Sequence, residues 1–315
     1  MVKSIFLLFM TIPTIVWGSI LGGFLHLVLF EPPKELNVST YAIDDYSAND
    51  ENLSNLSRSV AEKNRFVGQI FDNVKFKYPN TTVRHIRDRE NAGATKNVFL
   101  TDNTDDSEIV FFAGHGSPQT LFFYDYRHEF LPGTKRFGGR TRWVFIEACM
   151  FMNMNRDDRI SANASSENMD IERLRKMSAL FNGVHAILGN YADGVQWTIK
   201  KHWFSSARWR TEDRFDYFAR HFISGGVGIW DSYVSALKKV YRNFTENSAL
   251  GSDGSKHPGY RPAIVYFYKQ FSDGSALDMS LEKYGESYNA PVSDGSISNY
   301  LLMYKTVTIG SPIYY

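Results

Sequence analysis

Two kinds of hydrophobic pattern alternate along this chain. Ile109-Val-Phe-Phe-Ala113 and Trp143-Val-Phe-Ile146 are unbroken apolar runs rich in β-formers, which is how strands covered on both faces of a largely parallel sheet read. Further β-rich stretches at Tyr41–Ile43, Thr82–Ile86, Val184–Leu188 and Ala263–Tyr268 predict four more strands. Between them apolar residues recur at helical spacing. Leu56, Val60, Phe66, Val67, Ile70 and Phe71 mark a helix from about Leu53 to Val74, and similar stretches cover Ile171–Phe181 and Val227–Asn243. Alternation of strand and helix predicts an α/β fold with a mostly parallel central sheet between helical layers. Leu121 to Leu131 reads as a short aromatic hairpin or loop, Gly133 to Gly139 as a turn-rich connector, and the acidic stretch Asp102 to Glu108 as a solvated turn.

The amino end follows neither pattern. Lys3 precedes an uncharged, largely apolar stretch from Ser4 to Phe30. A single positive residue before such a stretch predicts a signal peptide or a membrane anchor over residues 1–30, with everything after Glu31 outside the cytoplasm, secreted or membrane-anchored. Glu31-Pro32-Pro33-Lys34 then gives a stiff linker over 31–37. An α/β domain is expected from 38 to 285 and a less regular extension over 286–315. Ser-Asp-Gly-Ser recurs at Ser252, Ser272 and Ser293, but Asp-Gly is a turn former and the flanking residues do not match, so these are turns and not a repeat.

Charge narrows the function. With 35 Lys+Arg against 34 Asp+Glu, the formal charge is +1, and the basic footprint of a dedicated nucleic-acid binder is missing. Cys149 is the only cysteine, which excludes an intrachain disulfide and any site built from several thiolates.

Each of the two apolar strands runs into an unusual residue. Phe111-Phe-Ala-Gly-His115-Gly116 places an imidazole between glycines just past one strand, and Val144-Phe-Ile-Glu-Ala-Cys149 places the sole thiol just past the next. Ligands of open α/β sheets bind beyond the carboxyl ends of the strands, so the two groups would share one rim. A free thiol is only a few per cent ionised at neutral pH, and an adjacent imidazole is what activates it. The amides of Gly116 and Cys149 are candidate oxyanion donors.

His-Gly after one strand and Glu-Ala-Cys after the next resemble the caspase-hemoglobinase fold of the clan CD cysteine peptidases. The wider set of Gly-His-Gly-Ser-Pro, Trp-Val-Phe-Ile-Glu-Ala-Cys, Phe181-Asn-Gly-Val-His-Ala-Ile-Leu-Gly189 and Arg261-Pro-Ala-Ile-Val265 is similar to an exported family of that fold. The resemblance covers about residues 38 to 285. It implies a caspase-like three-layer sandwich, His115 as general acid/base, Cys149 as nucleophile, a peptide or protein substrate and no cofactor. Glu147 and Asp193 are candidate substrate-binding carboxylates, Asp193 having the simpler reading of a turn residue before Gly194. Where related sequences continue past the cysteine with Ser or Gly, this chain has Met150-Phe-Met-Asn153.

Three further features have competing readings. Aromatic and basic residues interleave from Trp197 to Phe222; such a segment can grip an anionic polymer or form a lid, but is expected to be helix with its rings on the sheet and its charges in water. Ser224-Gly-Gly-Val-Gly228 could cradle an anion before a helix, yet lacks the Lys-Ser/Thr of a nucleotide loop. Cys149 and His115 could join His85 or His185 around a metal, although no ligand spacing points there. The main rival to a thiol hydrolase is a binding or scaffold module that keeps the fold without turnover.

Overall fold

The computed structural model describes residues 34–47, 53–125, 127–154, 170–182, 184–191, 198–200, 208–247, 261–269, 300–307 and 309. The expected leader over 1–30 and Asp193 lie outside the described residues.

Seven strands form the central sheet: β1 (Glu35–Ala42), β2 (Thr82–Glu90), β3 (Ile109–Gly114), β4 (Trp143–Ala148), β5 (Ala186–Asn190), β6 (Pro262–Lys269) and β7 (Tyr300–Thr306). Their order across the sheet is β7-β6-β5-β4-β3-β1-β2. Strands β1 to β5 are parallel to one another, and β6 runs antiparallel to both of its neighbours. The helices are α1 (Ser59–Lys77), α2 (Lys96–Thr101), α3 (Ile171–Met177), α4 (Arg214–Ala219) and α5 (Ile229–Asn247). This is the α/β sandwich around a mostly parallel sheet that the alternating pattern predicts.

Period-two alternation of side chains sorts the core into two layers. Phe111, Trp143 and Phe145 face α1, α4 and the turn after it, where Phe66, Phe215, Phe218 and Phe222 pack. Phe66 stacks on Phe111 with ring centroids 4.6 Å apart. Val110, Phe112, Val144 and Ile146 face the opposite layer, where they meet Phe99 of α2, Leu121, Phe123 and Leu131 of the hairpin, Met177 at the end of α3 and Leu180 just after it. Because β3 and β4 are covered on both faces, they are the unbroken apolar runs of the sequence. The edge strand β2 instead alternates charged residues, with Arg87 paired to Asp106 and Arg89 to Asp102, which blunts its open edge.

Several boundaries differ from expectation. Strand β1 begins at Glu35, inside the expected linker over 31–37, and the helix expected over Ile171–Phe181 is α-helix only to Met177. Helix α1 starts at Ser59 and not near Leu53, because Ser54, Asn55 and Ser57 belong to a polar loop stitched to the chain ahead of it: Leu56 N donates to Asp44 O at 2.8 Å, and Tyr46 N to Asn55 Oδ1 at 2.6 Å. Short polar side chains compete with helical hydrogen bonds in this way. Residues 300–306, assigned from sequence to an extension, form β7 and pair with β6 in the same sheet, so the sheet draws on residues beyond 285. Among the described residues no helix is long and apolar enough to cross a membrane.

Candidate active site

The register of β3 against β4 fixes the site. Their partners run from Ile109↔Trp143 to Gly114↔Ala148, so the next position on each strand is His115 on one and Cys149 on the other. Parallel neighbours lie about 4.8 Å apart. Both residues are partly exposed, and the thiol is unbridged.

Glycines on either side of the histidine are dictated by close packing. A Cβ on Gly114 would sit 2.7 Å from Tyr46 Oη, and one on Gly116 would sit 2.7 Å from Ala148 Cβ and 3.0 Å from the carbonyl oxygen of Cys149. Gly116 therefore lies directly against the backbone of the thiol-bearing residue, and the amides of both residues, expected from sequence as oxyanion donors, belong to one rim.

Several contacts hold His115, among them Phe122 N donating to its carbonyl oxygen at 3.1 Å. Its Nε2 lies 2.7 Å from Ser54 O. A carbonyl can only accept, so Nε2 carries the hydrogen and, in the neutral ring, Nδ1 keeps the lone pair. The backbone N of His115 donates to Tyr46 Oη at 2.9 Å, and that hydroxyl donates to Phe122 O at 3.2 Å. The Tyr46 ring also lies 4.7 Å from the imidazole. Burial above all pushes the Tyr46 phenol well above its ordinary range, with the nearby Asp44 carboxylate adding to the effect, so this hydroxyl stays protonated while it serves as both acceptor and donor. Neither Tyr46 nor the Ser54 carbonyl carries a motif. The first is a lone aromatic in a polar turn and the second a backbone atom, so neither could be found by pattern.

Beyond the thiol the chain turns sharply. Met150 has φ +53°, the left-handed region that disfavours a side chain with a Cβ. Asn153 N donates to Met150 O at 2.8 Å, Met152 N to Asn190 O at 3.0 Å, and Gln119 N to Phe151 O at 3.0 Å. Phe151, Met152, Asn153 and Met154 are buried, so the segment after Cys149 is anchored under the rim.

Glu147 is brought close to the thiol in sequence but is turned inward. Its carboxylate accepts from Tyr233 Oη and from Asn190 Nδ2 at 3.1 Å, and pairs with Arg214 Nη2 at 3.1 Å. Both side chains of that ion pair are buried, so Glu147, expected from sequence as a substrate-binding carboxylate, is occupied by internal donors. The physical reason is strand parity: Glu147 shares its face with Phe145 and Trp143, under α4 and α5. Asp193 lies outside the described residues.

The metal reading loses its geometry. His185 immediately precedes β5, and its N donates to Arg142 O at 2.8 Å. That places it at the amino edge of the sheet, roughly 20 Å along the strand from Cys149 at about 3.3 Å per residue. His85 lies within β2 and bonds Thr40 Oγ1 at 2.7 Å. Among the described residues no cluster of three or more His, Cys, Asp or Glu could hold a metal ion.

Of the aromatic-basic segment, residues 197 and 201–207 lie outside the described residues. Thr198–Lys200 pairs antiparallel with Arg208–Arg210 in place of the expected helix; past Thr211 the segment is helical, and Phe215, Phe218 and Phe222 are buried on the sheet, as the plainer reading has it. Arg214 departs from it, being buried between Glu62 and Glu147 instead of facing water. In the glycine-rich turn before α5, two amides are used internally, Gly225 N donating to Arg220 O at 2.9 Å and Val227 N to His221 O at 3.0 Å. The acidic stretch is spent on ion pairs: Asp102 with Arg89, Asp106 with Arg87 and Glu108 with Arg140.

No family model matches the sequence, and no curated protein does. Among solved structures, the chain is similar to pro-sf-caspase-1, at 10% identity and a TM-score of 0.40, over 75% of this chain and 92% of that one. It is also similar to the Arg-specific cysteine proteinase gingipain R, at 12% identity and a TM-score of 0.36, over 78% of this chain and 61% of that one. A complex of Porphyromonas gingivalis RgpB pro- and mature domains overlaps at 11% identity and a TM-score of 0.34, over 77% and 58%. The chain thus spans less than two thirds of the two gingipain chains. At such identities and scores the overlap says nothing of chemistry, which here stands on the register of β3 against β4.

Proposed function

We propose that this chain is an exported thiol hydrolase that cleaves peptide bonds through a Cys149–His115 dyad. The observation that carries the reading is the Gly114↔Ala148 register, which sets imidazole and thiol at the same step past neighbouring strands. His115 Nδ1, left with its lone pair by the Nε2 bond to Ser54 O, takes the Cys149 proton as Sγ attacks the substrate carbonyl. The amides of Gly116 and Cys149 face the developing oxyanion. The same proton passes to the leaving amine as the C–N bond breaks, leaving a thioester. Water then attacks that thioester, giving its proton to His115, and the carboxylic acid departs as the thiol is restored. Export is supported by Lys3 ahead of the apolar stretch Ser4 to Phe30.

The test is covalent labelling. A peptidyl electrophile carrying a reporter labels the full chain but not Cys149→Ala, and His115→Ala slows labelling by about 10²-fold or more near neutral pH. A native thiol that resists alkylation would sink the hydrolase and leave the fold as a binding module.

A further inference from the structure

The dyad sits on two separate supports. His115 is oriented by the loop at 53–58, through Ser54 O, whereas Cys149 follows β4. One short turn grips both. In the turn Thr211–Asp213 that leads into α4, Glu212 binds Arg58, whose Nε lies 2.9 Å from Oε2; Arg58 ends the very loop that holds the histidine. One residue after that turn, Arg214 directs Nη1 to Glu62 Oε1 at 2.9 Å and to Thr211 O at 3.0 Å, and Nη2 to Glu147 Oε2 at 3.1 Å. Glu62 lies in the first turn of α1, straight after the loop, and Glu147 lies two residues before the thiol.

The chemistry of the grip makes it stiff. Arg214, Glu62, Glu147 and Glu212 have side chains no more than 5% exposed. Charges in such surroundings are screened little, and a planar guanidinium bridging two carboxylates fixes direction as well as distance. Tyr233 of α5 and Asn190 of β5 complete the coordination of Glu147, so its carboxylate has no slack toward the rim.

We propose that Glu212 and Arg214 are positioning residues: the turn from Thr211 to Arg214 is a clamp that sets the separation and angle of His115 and Cys149 by tying the histidine's loop to the cysteine's strand. The inference rests on the dyad reading above and adds to it a pair of residues that touch neither reacting group.

Alkylation of Cys149 in the full chain, followed as rate against pH, tests it. Arg214→Met slows alkylation at pH 7 by about tenfold or more, since misplacement by 1 Å costs up to ~10²-fold, and moves the midpoint of the rate–pH curve upward as the imidazole decouples. Arg214→Lys, which keeps the charge but not the fork, recovers part of the rate. Glu212→Gln keeps shape and one acceptor oxygen, loosens only the histidine's side and gives a smaller slowing in the same direction; it decides the matter if Arg214→Met does not fold. Arg140→Met is the control, because it strips a partner from buried Glu108 at the far edge of the sheet, so it lowers the melting temperature and leaves the pH profile alone. Wild-type profiles in Arg214→Met and Glu212→Gln would overturn the clamp while the dyad stands. A wild-type profile in His115→Ala would overturn the dyad itself, and the clamp with it.

Discussion

Gly116→Ala probes the closest packing in the site. The added Cβ would meet Ala148 Cβ at 2.7 Å, the Cys149 carbonyl oxygen at 3.0 Å and the Thr120 carbonyl oxygen at 3.2 Å. Apolar carbons rest about 3.5–4.0 Å apart, so the first contact is too short by roughly 1 Å. Two of the three neighbours are backbone atoms, and no rotamer change relieves them. The overpacking is expected to cost about 1–3 kcal/mol. The only way to open the gap is to slide the chain after β3 away from the chain after β4, which is the displacement to which a dyad is most sensitive: about 1 Å costs ~10²-fold in rate. Urea unfolding would read the first effect as a lower midpoint with unchanged slope, and the alkylation rate of Cys149 the second. Ala148→Gly in the same chain removes the shortest contact and leaves the one to Cys149 O, so the double variant should regain part of the lost stability and rate, with an interaction energy above about 0.5 kcal/mol. Gly116→Ala with wild-type midpoint and wild-type alkylation would refute the reasoning, for then the strand ends do not press together.

Three other outcomes follow from buried polar groups. Tyr46→Phe removes the hydroxyl between His115 N and Phe122 O; it is expected to cost about 1–3 kcal/mol in urea unfolding and to slow Cys149 alkylation, and an unchanged alkylation rate would detach Tyr46 from the site. Burial lowers His185 to about 3, so below pH 6.5 the unfolded chain binds the proton that the folded chain refuses; stability falls by about 1.4 kcal/mol per pH unit from 6.5 toward 3, and His185→Leu should flatten that limb by this amount. Lys135 donates to Phe99 O at 2.8 Å and Asp102 O at 3.0 Å and is pushed by burial down to about 8. Between pH 8 and about 10.5 the unfolded chain holds the extra proton, so stability rises with pH across that window; the same measurement in Lys135→Met should show no rise, and a persistent rise would assign it elsewhere.

The histidine and the cysteine were legible because buried parallel strands advertise themselves. Nothing polar interrupts Ile109–Ala113 or Trp143–Ile146, so the first chemically distinct residue beyond each stands out. Their being neighbours was an inference from chain order, and the register supplies it residue by residue. What was illegible has two causes. Ser54 contributes a backbone carbonyl and Tyr46 a hydroxyl from a turn, and neither leaves a periodic trace. Glu147 and Arg214 were misjudged for a different reason: charge in a sequence reads as surface, and only the fold reveals that Glu62, Glu147 and Arg214 meet across α1, β4 and α4. Strand β7 was missed because an edge strand late in the chain, joined by a long connection, is decided by pairing with β6 and not by local pattern.

That buried charge also bears on why Glu147 precedes the thiol. An apolar residue there would pack against α4 and α5 as well as Phe145 does, and a buried ion pair is seldom more stable than the hydrocarbon that could replace it. Stability alone therefore does not account for a carboxylate at this position. Direction does: hydrocarbon tolerates sliding, whereas a carboxylate held by a guanidinium, a phenol and an amide from three different elements has one satisfied arrangement and loses several hydrogen bonds on leaving it. The strand that leads into Cys149 is thus fixed along its own axis two residues before the thiol. The glycine contact at Gly116 fixes it sideways against β3. Two independent constraints of different chemistry meet beside the chain's only thiol.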